Sequence, residues 1–307
     1  MAEKQLYNDL NTYLRRRFGC KVYKIALSAA VTCPNRDGTL GSRGCIFCSR
    51  GGSGDFAAPV DMPISEQIEF GKQQLKKKLE GQFESTRFIA YFQSYTNTYA
   101  SVEYLRKIFT EAIENPCICA LSVATRPDCI SDETLEMLKE LNRVKPVWIE
   151  LGLQTIHPES VRYIRRGYEN GIYEECVRRL NEAGLEVIVH LILGLPGEDE
   201  KMMNETVDYV CRTGKINGIK LQLLHIMSDT DMGDEFINYG DDAPDKMRLC
   251  IRTPETYIDI LANIINRLDK CIVIHRITGD APHEKLLYPK WSANKRIILN
   301  GLRRKLL

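Results

Sequence analysis

The chain has 307 residues, of which 44% are hydrophobic and 27% are charged, and a chain of this length buries a large core without disulfide bonds. Forty-two Lys and Arg residues stand against 41 Asp and Glu residues, for a formal charge of +1. This balance excludes a histone-like polycation or an acidic tail but leaves nucleic-acid binding open. The longest apolar stretch, 187–195, is far shorter than the ~20 residues of a membrane helix, and the charged N-terminal stretch has no apolar signal core. We therefore expect a cytoplasmic protein with no membrane partner.

Short β-branched or apolar runs alternate with amphipathic stretches along most of the chain, as is typical of βαβ units and a parallel sheet. The predicted core strands are 22–31, 87–92, 119–123, 146–151, 185–193 and 218–224. The predicted helices between them are 65–80, 101–114, 131–144, 157–167, 173–183 and 199–213. Six strand–helix units predict an α/β fold with a partial (β/α)6 barrel, or less specifically a doubly wound sheet. In either fold, functional residues gather at the C-terminal ends of the strands.

Beyond residue 228 the alternation loosens through an acidic, Gly- and Asp-rich segment, 228–245. A predicted helix, strand and last helix follow, at 254–268, 271–277 and 292–306. We interpret residues 1–230 as the core barrel with an N-terminal helix. Residues 231–307 are then a C-terminal α/β extension that packs on the barrel.

Three cysteines follow the first predicted strand in a Gly-rich loop: Cys33, Cys45 and Cys48, with the spacing C-x11-C-x2-C. A C-x2-C pair alone is ambiguous between zinc, a redox dithiol and an iron–sulfur cluster. Structural zinc takes four ligands, and no fourth Cys or His lies nearby in the sequence. Three thiolates instead suit a [4Fe–4S] cluster with one open iron. Such an iron can bind S-adenosylmethionine (SAM), whose reductive cleavage gives an adenosyl radical, so the pattern favours this cluster over zinc. Cys117 and Cys119, before the third strand, are interpreted as buried structural residues.

Several blocks between residues 22 and 283 together resemble one known family: CPNRDGT, GCIFCS, YFQSYTNTYA, SVATRPD, ELGLQT, GLPGE and RITGDAP. The sequence is similar to a bacterial subfamily in the Elongator-catalytic-subunit-like branch of the radical SAM proteins. The resemblance implies a radical SAM enzyme whose [4Fe–4S] cluster is held by the three cysteines. It also implies SAM as cofactor and a low-potential electron donor such as flavodoxin or ferredoxin.

The resemblance also assigns residues to SAM. It places Phe47 beside the adenine, although an aromatic residue packed under a loop would be equally buried. Gln93 and Ser94 stand where many radical SAM enzymes have Gly-Gly-Glu, and either is a candidate acceptor for the amino group of SAM. Arg126 is expected near the methionine part or the ribose, with a pair to Asp128 as the alternative.

Alternation places Glu150 and Gln154 on the inner face of the fourth strand. The resemblance assigns them to the ribose of SAM, and an internal hydrogen-bond network is the alternative. Gly194, after the fifth strand, belongs to a block that resembles the adenine site. His275, Arg276 and Asp280, at the last predicted strand, are expected to have catalytic or substrate roles by resemblance, although a simple turn would also explain them.

The substrate is predicted from two observations. Seven basic residues and no acidic residue occupy 285–307, which is a possible phosphate-binding face or simply a solvated one. Leu299, Leu302 and Leu306 follow helical spacing and are expected to dock this last helix on the barrel. The family resemblance adds tRNA, through the side chain of the wobble uridine. A small metabolite, or a non-catalytic zinc- or cluster-bearing RNA-binding module, is the alternative.

Overall fold

The computed structural model describes residues 6–52 and 57–307, so the first five residues of the predicted amphipathic N-terminal stretch lie outside the described residues. Its strands are β1 (Val22–Leu27), β2 (Arg87–Phe92), β3 (Ile118–Thr125), β4 (Val147–Gln154), β5 (Glu186–Leu193), β6 (Gly218–Leu223), β7 (Ile226–Met227), β8 (Val273–Arg276) and β9 (Leu286–Tyr288). Its α-helices are α1 (Leu10–Phe18), α2 (Ile64–Lys76), α3 (Val102–Glu114), α4 (Asp132–Asn142), α5 (Pro158–Tyr163), α6 (Asn170–Glu182), α7 (Glu200–Thr213), α8 (Asp231–Tyr239), α9 (Ala243–Lys246), α10 (Pro254–Arg267) and α11 (Lys295–Leu306).

Seven of these strands form one parallel sheet, curled into a half-barrel, in the order β1-β2-β3-β4-β5-β6-β8. Each of the first six strands pairs with its neighbour in sequence, because a helix on the outer face returns the chain to the start of the next strand. The predicted α/β fold with a partial (β/α)6 barrel is therefore confirmed. The helices begin where the sequence offers caps: the side chain of Ser131, for example, accepts a hydrogen bond from the backbone N–H of Thr134 at the start of α4.

The C-terminal part of the chain differs from its prediction in two ways. The predicted strand near residue 273 joins the main sheet as its seventh strand, pairing Val273 of β8 with Gly218 of β6. The loosely patterned segment 228–245 contains α8, whose first turn is capped by the side chain of Thr230. The domain boundary at residue 230 stays a prediction.

The last helix docks differently from its prediction. It packs on α10 through Ile298, Gly301 and Leu302, which are buried. Leu299 was expected on this face but is 48% exposed, so the prediction was wrong for that residue. The contact face differs from the predicted one because Gly301 lets α11 approach α10 closely. A Cβ added at Gly301 would lie 2.2 Å from Cδ1 of Ile258 in α10.

The inner face of the half-barrel is closed at the N-terminal end of the strands. An apolar plug there contains Ile89, Ala120, Trp148 and Ile188 and is covered by Leu14 of α1. Because water is excluded at this end, a site that admits ligands must lie at the C-terminal ends of the strands. In the described part of the chain, we find no helix with the length and apolar character that crossing a bilayer requires.

Candidate active site

A cavity of about 190 Å³ opens at the C-terminal ends of the strands. All three cysteines of the Gly-rich loop line it. The structure brings six further predicted site residues to the same cavity, namely Phe47, Gln93, Arg126, Glu150, Gln154 and Arg276. These residues come from the cysteine loop and from four different strands or strand ends, which is why local sequence alone does not show their proximity.

Four predicted residues lie elsewhere. Ser94 is buried next to Gln93 but does not line the cavity. Gly194 has φ +85° and its N–H donates to Sδ of Met203 at 3.2 Å, outside the cavity. His275 points toward the apolar plug, where its ring meets Trp148 edge-on at a centroid distance of 5.6 Å. Asp280 lines a neighbouring cavity.

The cysteine loop is held by two side chains that sequence reasoning missed. The Arg36 guanidinium donates to the carbonyl oxygens of Cys48 at 3.1 Å and Ser49 at 2.6 Å. Nδ2 of Asn35 lies 3.4 Å from Sγ of Cys45 and donates to the carbonyl oxygen of Arg165 at 2.7 Å. Their signal in the sequence is their place inside the loop, directly after Cys33, where polar side chains can satisfy loop carbonyls.

The donor set fits an iron–sulfur cluster. Burial raises the pKa of the Cys45 thiol to about 12, so this position favours a neutral thiol until a metal displaces the proton. Among the described residues, no three His, Cys, Asp or Glu side chains form a group that could hold one metal ion. A cluster attaches each thiolate to a different iron, and three thiols around one cavity satisfy that requirement without converging on one point.

One carboxylate at the floor of the cavity collects donors from four other strands. The ammonium of Lys24 and the hydroxyl of Ser122 bond to Oε1 of Glu150. Nε2 of His190 lies 2.6 Å from Oε2, and the ammonium of Lys220 bonds to the same oxygen. The internal network considered as the alternative is therefore present, and a ribose contact of Glu150 stays a prediction.

The charges in this floor compensate one another. Burial alone would raise the pKa of the Glu150 carboxyl, but Lys220 and Lys24 outweigh burial and hold that pKa well below its usual range. Nζ of Lys220 also lies 2.9 Å from the hydroxyl of Tyr91. The sequence analysis did not identify the two lysines as partners of Glu150. The signal that could have found them is a charged residue at an inward position of an otherwise apolar strand.

Arg126 and Gln154 flank the cavity in constrained conformations. The Arg126 guanidinium binds both oxygens of Asp128, at 2.9 and 2.7 Å, and donates to the carbonyl oxygen of Arg166 at 2.8 Å. The pairing that the sequence offered as an alternative thus exists, and contact with SAM stays a prediction for Arg126. Gln154 has φ +63°, a left-handed conformation that costs free energy in a non-glycine residue and is typical of functional sites.

A second cavity of about 330 Å³ adjoins the first. Phe47, Gln93 and Arg276 line both cavities, together with Ile192 and Gln222. The second cavity also contains His225 and Asp280, and Nε2 of His225 is buried there with no hydrogen-bond partner among the described residues. Arg276 lies 3.5 Å from Asp280, so a charged pair stands at the passage between the two spaces.

A parallel α/β half-barrel with three cysteines over its C-terminal strand ends fits one class of protein, the barrel enzymes with an iron–sulfur cluster at the mouth of the barrel. Comparison with known families agrees with this class. The model of the radical SAM superfamily matches residues 37–210, more than half of the chain, and that of the radical SAM C-terminal domain matches residues 216–307. The chain belongs to the radical SAM superfamily. It is an enzyme that uses a [4Fe–4S] cluster and SAM, which disagrees with the non-catalytic module considered above.

The chain is also similar to individual proteins of known sequence or structure. It is 37% identical to the protein YtqA of Bacillus subtilis, over 98% of this chain and 89% of the relative. It is 33% identical to the tRNA uridine(34) acetyltransferase of Methanocaldococcus jannaschii, but only over 34% of this chain and 18% of that protein. The solved structure of the archaeal Methanocaldococcus infernus Elp3 superposes with a TM-score of 0.65 and 16% identity, covering 93% of this chain and 64% of that chain. The superposition supports the fold alone.

Proposed function

We propose that this enzyme generates an adenosyl radical at the three-cysteine cavity and uses it to remodel the side chain of a tRNA wobble uridine in the cytoplasm. The observation that carries the chemistry is the single cavity lined by Cys33, Cys45 and Cys48 at the mouth of the half-barrel. The local similarity to a tRNA uridine(34) acetyltransferase supports the substrate, as do the sequence blocks.

In this proposal the three cysteines would hold the cluster, which would supply the electron that cleaves SAM. Phe47, Gln93 and Gln154 line the cavity and are the candidates for binding SAM. The floor around Glu150 stays closed to water, because its carboxylate is fully buried and both of its oxygens are bonded to protein donors. A closed floor keeps competing hydrogen donors and oxidants from reaching the radical before it meets the substrate.

The second cavity is the proposed place for the substrate base. It adjoins the first, so a group bound in it lies beside the place where the radical forms. A base needs an apolar wall and a few polar partners. Ile192 and Leu224 offer the wall, and Nε2 of His225 and the Arg276 guanidinium offer the partners.

A small-metabolite substrate is the second candidate. It is favoured by one observation: several basic residues of the C-terminal segment already have ion-pair partners. Lys295 pairs with Asp280, and Lys305 pairs with Asp259 at 2.9 Å. These ammonium groups are therefore less available to phosphates than the sequence predicted.

Mass spectrometry of tRNA nucleosides tests the proposal. In a strain that lacks the gene, we expect one modified wobble uridine to disappear or to be replaced by its precursor. Wild-type protein should restore it, and a Cys45→Ala variant should not. If every tRNA nucleoside is unchanged in the deletion strain, the tRNA substrate is wrong and the small-metabolite candidate replaces it.

A further inference from the structure

A groove of about 670 Å³ lies on the outer side of the cysteine loop. It is formed by residues of the segments 40–44 and 161–169, with Asn35 at its base. Gly44 and Tyr168 line both this groove and the three-cysteine cavity. The wall between them is therefore one residue thick at these points.

The groove also touches the cysteine loop through hydrogen bonds. Asn35 joins Sγ of Cys45 to the backbone of the groove, through the carbonyl oxygens of Arg165 and Arg166. The N–H of Ile46 donates to the carbonyl oxygen of Ile164 at 3.3 Å. A molecule seated in the groove would thus stand close to the place where Cys45 holds the cluster.

Three arginines facing two carboxylates give the groove a small positive charge. Arg43, Arg162 and Arg165 line it together with Glu169. Arg43 and Arg165 both pair with Asp231, whereas Arg162 is exposed and has no ion-pair partner among the described residues. We name this surface the arginine groove.

The arginine groove also exposes apolar surface. Leu40 also lines the groove and is 53% exposed. An exposed apolar side chain that shares a surface with arginines is typical of protein interfaces, in which Arg is enriched. A phosphate backbone has no use for such a leucine, so the groove fits an acidic protein better than it fits RNA.

We propose that the arginine groove docks an acidic, low-potential electron-transfer protein that reduces the cluster. The proposal rests on the proposed function only in requiring a cluster at the three cysteines. One electron leaves the reduced partner and enters the cluster. The same electron then passes to SAM, whose C–S bond breaks to give methionine and a 5′-deoxyadenosyl radical, and the cluster returns to its oxidised state. The rate of electron transfer falls steeply with distance. Because the wall between the groove and the three-cysteine cavity is thin, a partner in the groove would lie a short distance from the cluster.

The test uses the holoenzyme, with flavodoxin as the probe. The double variant Arg43→Glu/Arg162→Glu reverses two charges of the groove. We expect its dissociation constant for flavodoxin, measured by FMN fluorescence, to rise at least tenfold, and the salt dependence of binding to shrink. Formation of 5′-deoxyadenosine driven by subsaturating reduced flavodoxin should slow by a similar factor. In the single variant Arg162→Glu, which leaves the cysteine loop unchanged, formation driven by dithionite, a small reductant that needs no docking surface, should stay at the wild-type rate.

A matched control is Arg143→Glu/Arg212→Glu, which changes the net charge equally. Both residues are exposed at the ends of helices that lead into strands, and so they lie at the opposite end of the sheet. This control should bind flavodoxin as the wild type does. Arg162→Glu alone is a second variant, because it removes no ion pair among the described residues, and it should weaken flavodoxin binding severalfold.

Three results would overturn the proposal. The first is an unchanged dissociation constant for flavodoxin in both groove variants. The second is an equal loss of flavodoxin-driven and dithionite-driven cleavage, which would place the effect on the cluster instead of on docking. The third is a loss of tRNA affinity with flavodoxin binding intact, which would assign the groove to RNA. All three readouts are independent of which tRNA nucleoside changes in a deletion strain.

Discussion

The three cysteines are equivalent in their proposed role, although their surroundings differ. Replacing Cys33, Cys45 or Cys48 by Ala removes one of the proposed iron ligands, and we expect each variant to lose iron, sulfide and SAM cleavage. Cys119→Ala is the control, because Cys119 is buried in the apolar plug and its removal should leave iron content intact. Iron and sulfide content are measured on anaerobically purified protein, and SAM cleavage is measured by the formation of 5′-deoxyadenosine. Retained turnover in Cys45→Ala would refute the assignment.

Glu150 compensates two buried ammonium groups at once. Glu150→Gln keeps the shape but leaves Lys24 and Lys220 without their counter-charge. Removing one partner of a buried ion pair costs about 3–5 kcal/mol, so we expect the free energy of unfolding in denaturant to fall by about that amount. Glu136→Gln breaks an exposed pair with Lys139 and should cost less than about 1 kcal/mol. Equal effects of the two substitutions would mean that the buried network is not stabilising.

His225, in the second cavity, makes the stability of the fold depend on pH. Burial, and then Lys295 and Arg276, lower its pKa from 6.5 to about 4. Between these values the unfolded chain binds a proton that the folded protein does not, so stability falls as the pH drops from 6.5 toward 4. The contribution of this residue is about 1.4 kcal/mol per pH unit.

The measurement is denaturant unfolding of wild type and His225→Gln at several pH values across this window. The variant should show a shallower decline of stability on acidification. His283→Gln, at an exposed position, serves as the control and should keep the wild-type slope. Parallel slopes for wild type and His225→Gln would show that His225 is protonated equally in both states.

At the scale of the element, α8 seats the cysteine loop. The N–H of Met232 donates to the carbonyl oxygen of Ile46 at 2.9 Å. This contact depends on Gly233, where an added Cβ would lie 2.0 Å from the carbonyl oxygen of Met227. That oxygen belongs to the backbone and cannot rotate away.

We therefore expect Gly233→Ala to lower the free energy of unfolding by about 1–3 kcal/mol or more, and to lower the iron content after reconstitution. Gly171→Ala is the matched control, since nothing lies within 4 Å of its added Cβ in α6. It should be neutral or stabilise the protein by up to about 1 kcal/mol, because alanine restricts the unfolded chain. Wild-type stability and iron content in Gly233→Ala would contradict the role given to α8.

The elements differ in how well their sequences predicted them. The core strands were predictable because buried parallel strands are near-continuous apolar runs. The helix α8 was not, since its Asp- and Gly-rich sequence resembles a loop, and its stability comes from the Thr230 cap and from packing on the cysteine loop. The membership of β8 in the main sheet depends on a pairing with β6 some 55 residues earlier in the chain, which no local pattern encodes.

The residues of the site also differ in how far the sequence predicts them. The three cysteines stood out because their spacing is local. Alternation also placed Glu150 correctly on the inner face. Its partners Lys24 and Lys220 lie 126 and 70 residues away in the sequence. The only local sign of such a contact across the barrel is a lysine within an otherwise apolar strand.

At the scale of the whole molecule, the C-terminal helix is the remaining candidate for phosphate contact. Arg296 and Arg304 are exposed on α11, whereas Lys295 and Lys305 pair with carboxylates. We expect Arg296→Gln/Arg304→Gln to weaken tRNA binding. The slope of log affinity against log salt should also shrink, by roughly one unit for each arginine–phosphate pair that the substitutions remove.

Fluorescence titration of tRNA at several salt concentrations measures this slope. SAM cleavage without tRNA should stay unchanged in the double variant. The Lys305→Gln variant is a control, because its ammonium already pairs with Asp259, and it should change the slope less. An unaltered slope in the double variant would leave α11 as a solvated helix and strengthen the small-metabolite candidate.

The strand order has a consequence for how the sheet forms during synthesis on the ribosome. Since β1 to β6 pair in sequence order, each newly synthesised strand can add to the edge left by the previous one. That growing edge stays a template for wrong pairing until the last strand arrives. The outer edge of β8 is covered by the segment before α1, through the bridge between Asp9 and Ile274 and the N–H of Ile274, which donates to the carbonyl oxygen of Asn8 at 2.8 Å. This segment is synthesised before β1, yet it can cover the edge of the sheet only after β8 has been added.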